Sequence, residues 1–343
     1  MKTVKLAKDN LDFFASVLQR FGEVHAPVAR GSEFCFERLE RWSDAQLKYT
    51  RTILPPKKYF LPPRETLFQY TATSYTPQSE NLDKRVVLFG VHACDVYALN
   101  ILDDVFQNGV FPDPYYRARR KSVAVIGIDC IPDEHCFCES MRADLVEKGF
   151  DLFFNDIGDD YLVLVGTALG DDMVLAAAGL FQPVTRDDVE EYKRRSQHIR
   201  EAQSVVAEIG DLPQIFEMEY RSELWQELGR KCLACGSCTM VCPTCYCYDV
   251  TDQLTPGCNA GTRCREWDSC LFSAHARVAG GENFREQQAD RIKFRFYHKH
   301  RAFVAEYGHP SCVGCGRCSV VCPVDIDVVE VINRLREVEY AGC

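Results

Sequence analysis

Residues 232–243 read CLACGSCTMVCP, and residues 312–323 read CVGCGRCSVVCP. Each is the string C-x2-C-x2-C-x3-C-P, and its occurrence twice in one chain decides the architecture of the C-terminal region. Three closely spaced thiolates in a loop each reach one iron of a 4Fe–4S cubane. The glycines at 236, 314 and 316 let backbone N–H groups approach the sulfurs, and the proline turns the chain away. In two-cluster ferredoxins the fourth cysteine of each run serves the other cluster. The spacing therefore assigns one 4Fe–4S cluster to Cys232, Cys235, Cys238 and Cys322, and a second to Cys312, Cys315, Cys318 and Cys242. Zinc is the competing use of C-x2-C pairs. A tetrahedral zinc ion gives no reason for three evenly spaced cysteines followed by C-P.

The stretch between positions 242 and 312 is far longer than a compact two-cluster ferredoxin uses, so it must do something else. It opens with Cys245 and Cys247 in CPTCYCYDV, passes GTRCREWDSC at 261–270, and ends in the basic aromatic run RIKFRFYHKHR at 291–301. Cys245, Cys247 and Cys270 are either further ligands or, as free cysteines more often are, small buried hydrophobes. The cations of 291–301 neutralise cluster charge, bind an acidic partner, or form the solvated face of an amphipathic helix. After the second motif, Val328, Val329, Val331, Ile332, Leu335 and Val338 recur at helical spacing over 328–340. Residues 231–343 are thus expected to form an α-rich, dicluster ferredoxin-like domain carrying a long insert.

Upstream, strand and helix signals alternate, the arrangement that yields a sheet with helices packed on it. VVLFGV at 86–91 and VAVIGI at 123–128 read as strands. Residues 95–106 and 140–148 read as the helices that follow them, and 151–154, 161–165 and the helix 168–180 continue the alternation. This predicts an α/β domain over residues 1–185. Residues 186–230 read as a helical connector, with a charged helix stopping near Gly210 and a second running from Pro213 toward Arg230.

A second cysteine constellation sits in the α/β domain. Cys94 and Cys130 each fall just after a predicted strand, at the carboxyl end where open α/β sheets place their ligand sites. Cys136 and Cys138 follow in HCFC. Four thiols converging above the sheet predict a third 4Fe–4S cluster; a zinc site or four unrelated buried cysteines are the alternatives. Asp95 reads as a helix cap rather than a chemical group. His92, His135, His298 and His300 show no metal-ligand spacing. There is no G-x-G-x-x-G at a strand-to-helix turn and no P-loop lysine string, hence no nucleotide site, and no nucleophile with a convincing base.

The composition agrees with this chemistry. At roughly 100–200 residues per domain, 343 residues predict about two domains. Nineteen cysteines without an export signal point to metal ligation in a reducing compartment rather than to disulfides, so the expected location is the cytoplasm. A formal charge of −10 argues against nucleic acid, and no apolar run approaches the ~18 residues of a membrane span.

The chain also resembles the iron–sulfur β subunits of cytoplasmic sulfhydrogenases and related [NiFe] hydrogenases, which are similar to an iron–sulfur component of anaerobic sulfite reductase. The pieces that carry the resemblance are HACDVYALNILDDVF (92–106), DPYY (113–116), CFC (136–138), CLACGSCTMVCPTCYCYDV (232–250), REWDSC (265–270), AGGENFRE (279–286) and CVGCGRCSVVCPVDI (312–326). They occur in order from about residue 86 onward. The resemblance implies an electron-transfer subunit between a flavin subunit that handles NAD(P) and a catalytic redox subunit of hydrogenase or sulfite reductase type. It also makes Cys245, Cys247 and Cys270 family features without giving them a role, and leaves Cys258 and Cys264 outside the pattern. The rival reading places a flavin or deazaflavin at the strand ends of the α/β domain, with the clusters feeding it.

Overall fold

The computed structural model describes residues 2–77 and 84–337. In chain order its strands are β1 (Lys2–Ala7), β2 (Glu23–Arg30), β3 (Glu33–Arg38), β4 (Arg64–Thr71), β5 (Tyr75–Pro77) and β6 (Val86–His92). They continue with β7 (Val123–Ile128), β8 (Leu152–Asp156), β9 (Asp160–Val165), β10 (Phe181–Gln182), β11 (Tyr248–Leu254) and β12 (Ala260–Trp267). The larger sheet runs β10-β1-β9-β8-β7-β6-β2-β3. Its centre, from β2 through β6 and β7 to β8, is parallel, and the strands on either side join antiparallel.

β6 and β7 are buried along their whole length. A parallel strand covered on both faces demands this, and it is why both read as unbroken apolar runs. Alternate side chains serve opposite faces, and a register shift between Phe89 and Val91 reverses the order at the end of β6. Val87 and Phe89 pack with Ile126, Phe154 and Phe14, whereas Leu88 and Val91 pack with Val96, Leu99 and Leu102 of the helix Ala93–Phe106. The alternation read from residue 86 in fact starts at the N-terminus. β1 pairs with β9, and the helix Leu11–Leu18 covers one face.

One expectation is corrected. Residues 140–148 form no helix. The backbone there folds into tight turns, with Arg142 N–H donating to Glu139, Ala143 N–H to Cys138, and Arg142 in the left-handed region at φ 54. The apolar residues that suggest a helix instead anchor these turns, Met141 and Ala143 being buried in the same core as Phe137. Tertiary packing overrides the local pattern. The C-terminal region holds strands beside its helices. Its long insert forms a hairpin, β11 and β12, whose inner strand pairs with β4 to give a second sheet, β11-β12-β4-β5. Buried Arg265 secures this joint by donating to Glu65 (Nε to Oε1, 2.8 Å) and to Asp113, while Arg119 holds the other oxygen of Glu65 at 2.6 Å. A β-sheet thus spans the expected boundary at residue 231.

The connector contains the helices Arg186–Glu201, Leu212–Met218 and Leu224–Lys231, the first opened by a capping box between Thr185 and Asp188. The amphipathic closing helix is Val328–Arg336, its apolar face buried; Val338 lies outside the described residues.

Candidate metal centres

Both C-x2-C-x2-C loops are built alike. Each leads through a glycine in the left-handed region, Gly236 (φ 76) or Gly316 (φ 68), into a one-turn helix, Ser237–Met240 or Arg317–Val320. Two residues before that glycine the backbone is left-handed again, and here the loops differ. The first has Ala234 (φ 51), the second Gly314 (φ 64). A Cβ on Gly314 would lie 2.4 Å from the carbonyl of Phe137. The HCFC loop lies directly on it, with Phe137 N–H donating to the Gly314 carbonyl at 2.8 Å. The cysteines of the α/β half are thereby docked onto the second motif.

The twelve candidate ligands fall into three groups. Cys232, Cys235, Cys238 and Cys322 line one cavity. Cys242, Cys312, Cys315 and Cys318 line a second. Cys94, Cys130, Cys136 and Cys138 line a third, at the carboxyl ends of β6 and β7. These two strands are parallel neighbours, with His92 opposite Ile128, so the residues that follow them emerge side by side. The cavities form a row: Cys318 and Arg295 border the first and second, and Cys315 borders the second and third. Among the described residues no three His, Cys, Asp or Glu side chains stand close enough to share a single metal ion. The thiols stand around cavities instead. Cys245, Cys247 and Cys270 line none of the three.

Residues 231–326 match the 4Fe–4S dicluster domain family. Over 337 residues, 98% of this chain and 99% of the relative, the sequence is 40% identical to "Sulfhydrogenase 2 subunit beta" of Pyrococcus furiosus. The chain belongs to the family of sulfhydrogenase β subunits.

For an iron–sulfur β subunit the buried cations are as informative as the thiols. Arg295, Lys299 and His300 of the run 291–301 are all buried, so that run is no solvated helix face. Burial opposes the charges of Arg295 and Lys299, yet neighbouring sulfurs raise both well above their ordinary values: Cys238 and Cys318 for Arg295, Cys242 and Cys245 for Lys299. Lys299 is fixed between Thr244 Oγ1 (2.8 Å) and the Ser311 carbonyl (2.7 Å). His92 and His300, by contrast, are held neutral, burial pushing each down to about 3.

The donor set fits an iron–sulfur cluster in each cavity. Four cysteine thiolates are the usual ligand set for a cubane, and polar N–H groups beside its sulfurs tune it. Each cavity also has a buried side-chain nitrogen without a hydrogen-bond partner: Arg295 Nε at the first and second, His300 Nδ1 at the second, and His92 Nε2 and Arg51 Nε at the third. At the third, Arg51 Nη2 lies 3.6 Å from Cys136 Sγ, and Gln203 Nε2 lies 3.6 Å from Cys138 Sγ.

Asp95 corrects another expectation of the sequence. It is no helix cap but one half of a buried ion pair, 2.7 Å from both Nη atoms of Arg317, a residue inside the second cysteine motif. Arg317 also donates to the Thr52 carbonyl at 3.0 Å. The pair ties the helix that starts beside Cys94 to the loop that carries Cys315 and Cys318. Spacing in the sequence singles out none of Arg317, Arg295, Lys299 and His92. The one available signal is that cations lie within or near cysteine motifs. No helix among the described residues is long and apolar enough to cross a membrane.

Proposed function

We propose that this β subunit carries three 4Fe–4S clusters. The first is held by Cys232, Cys235, Cys238 and Cys322, the second by Cys242, Cys312, Cys315 and Cys318, and the third by Cys94, Cys130, Cys136 and Cys138. It relays electrons between a flavin subunit that handles NAD(P) and a catalytic subunit of hydrogenase type. The observation that carries this reading is the row of three cavities, each bordered by one complete set of four thiols and joined to the next by a shared cysteine. Bound there, the clusters supply one-electron carriers. The chain holds them in a largely apolar core, where Phe137, Trp225, Phe296 and Ile332 pack beside the cysteines and exclude water. Arg295 and Lys299 offset the negative charge of thiolates and clusters. The hydrogenase-type partner follows from the sulfhydrogenase relative, and the second sheet, which spans both halves of the chain, keeps the row in one arrangement.

Anaerobically purified protein is expected to be brown and to hold about twelve irons per chain. Iron and sulfide analysis together with an optical spectrum tests this. About eight irons would remove the third site, stoichiometric zinc with almost no iron would overturn the whole assignment, and flavin bands beside the iron–sulfur absorption would favour the flavin-binding reading.

Lys299→Met should lower the potential of the second cluster, because a buried cation beside Cys242 and Cys312 stabilises the more negative, reduced form. A charge-assisted contact of about 1.5 kcal/mol corresponds to roughly 60 mV for a one-electron couple. A redox titration followed by electron paramagnetic resonance reads the shift. An unchanged potential would show that Lys299 is purely structural.

A further inference from the structure

Outside the three cavities the structure assembles a second kind of sulfur chemistry. The hairpin sets its geometry. Tyr248 faces Trp267, and one step beyond the ladder Asp268 N–H donates to the Cys247 carbonyl at 2.9 Å, so Cys247 lies across from residues 268–270. There the Cys247 sulfur is close enough to Cys270 and His275 for both to bear on its charge. His275 holds the Asp268 carboxylate through Nδ1, and the other Asp268 oxygen accepts Ser269 N–H at 2.7 Å.

This places a nucleophile, a base hydrogen-bonded to an orienting carboxylate, and a second thiol around one point of the hairpin. We propose that Cys247, His275, Asp268 and Cys270 form a thiol–disulfide exchange site that acts on the sulfur–sulfur bond of a small-molecule disulfide. Cys247 and His275 keep part of their surface in contact with solvent while Cys270 is buried, the order expected of an attacking and a resolving cysteine. The electrostatics agree. Cys270 and His275 bring Cys247 down to about 4, and Cys247 and Asp268 take His275 up to about 9. The other titratable groups facing Cys247 are Lys57, which lies 4.2 Å from the Trp267 ring centroid, with Tyr246 and His298.

The step balances without the clusters. The Cys247 thiolate attacks one sulfur of R–S–S–R, that bond breaks, and a Cys247–S–S–R bond forms. The departing thiolate takes a proton from the His275 imidazolium. Cys270 then loses its proton to water and attacks Cys247 Sγ, releasing the second R–S⁻ and closing a Cys247–Cys270 disulfide. The thiol pair has lost two electrons and R–S–S–R has gained them. An external dithiol runs the sequence in reverse.

The test uses the anaerobic full-length protein with its iron measured, so that loss of the clusters is seen separately from loss of this site. Iodoacetamide labelling, read peptide by peptide by mass spectrometry, should modify Cys247 at a rate nearly flat between pH 5.5 and 7.5. Free glutathione labelled in the same tube, a thiol of ordinary pKa, should rise about a hundredfold over the same range. His275→Gln should restore a steep pH dependence at Cys247. With 2-hydroxyethyl disulfide the parent should form a Cys247–Cys270 linked peptide and release two equivalents of 2-mercaptoethanol, and Cys270→Ser should stop at a mixed disulfide on Cys247. Iron-loaded protein in which Cys247 labelling tracks that of glutathione, or in which no linked peptide forms, overturns the proposal and leaves these cysteines as structural neighbours of the clusters.

Discussion

Replacing Cys242 with alanine is expected to lower the iron content from about twelve to about eight per chain, with the loss at the cluster of Cys312, Cys315 and Cys318. Cys242 follows Cys238 by four residues in sequence, but it borders the cavity of the distant motif, and Cys322 borders that of the first. The exchange follows from the fold: each motif's one-turn helix carries its fourth cysteine away from its own loop and toward its partner's. Alkylation under native, anaerobic conditions locates the loss. Cys312, Cys315 and Cys318 should become reactive in the variant, while Cys232, Cys235, Cys238 and Cys322 stay protected. Reactivity at Cys232, Cys235 and Cys238 instead would mean that each motif completes its own cluster and that the crossing assignment is wrong.

The second large effect is expected at Arg317. Arg317→Met leaves Asp95 buried without its partner, and breaking a buried ion pair in this way costs about 3–5 kcal/mol. Because Arg317 belongs to the second motif and Asp95 to the helix that begins beside Cys94, the loss should fall on the joint between the second and third cavities. Iron at the third site should go first, before the first cluster is affected. Denaturant unfolding of anaerobic protein measures the stability term. The double variant Arg317→Met with Asp95→Leu should recover most of it, since removing both charges removes the uncompensated one. A single variant that loses less than about 1 kcal/mol and keeps all its iron would show that the pair does not hold the two halves together.

The two C-terminal cysteine motifs are legible because most of each dicluster-type site is contiguous in sequence. Three of the four cysteines lining each ferredoxin-type cavity come from one short loop, so spacing alone reveals them, and the alternation of buried strands announces the α/β half in the same way. The supporting residues of the site are not legible, for a different reason. A buried arginine and a solvent-exposed one look identical in a string of letters. Arg295 and Lys299 sit in a run that reads equally well as a polar helix face, and Asp95 at the start of a helix reads as a cap. The segment 140–148 reads as a helix because Met141 and Ala143 suit a helix face, yet here they anchor a loop whose backbone must lie on Gly314.

By itself, the sequence determined the chemistry of the C-terminal half: two C-x2-C-x2-C-x3-C-P runs announce a 4Fe–4S dicluster domain, and the apolar runs at 86–91 and 123–128 announce covered strands of an α/β sheet. The tertiary structure alone decided the arrangement. It made β6 and β7 neighbours, which brings Cys94 and Cys130 to one cavity. It drew the hairpin of the insert onto β4, and it buried Arg317 against Asp95 across 222 positions of chain. Ligand spacing is a local property that a short loop must satisfy within itself. Strand adjacency and the burial of a charge depend on which distant surfaces meet, and that is settled only when the whole core packs.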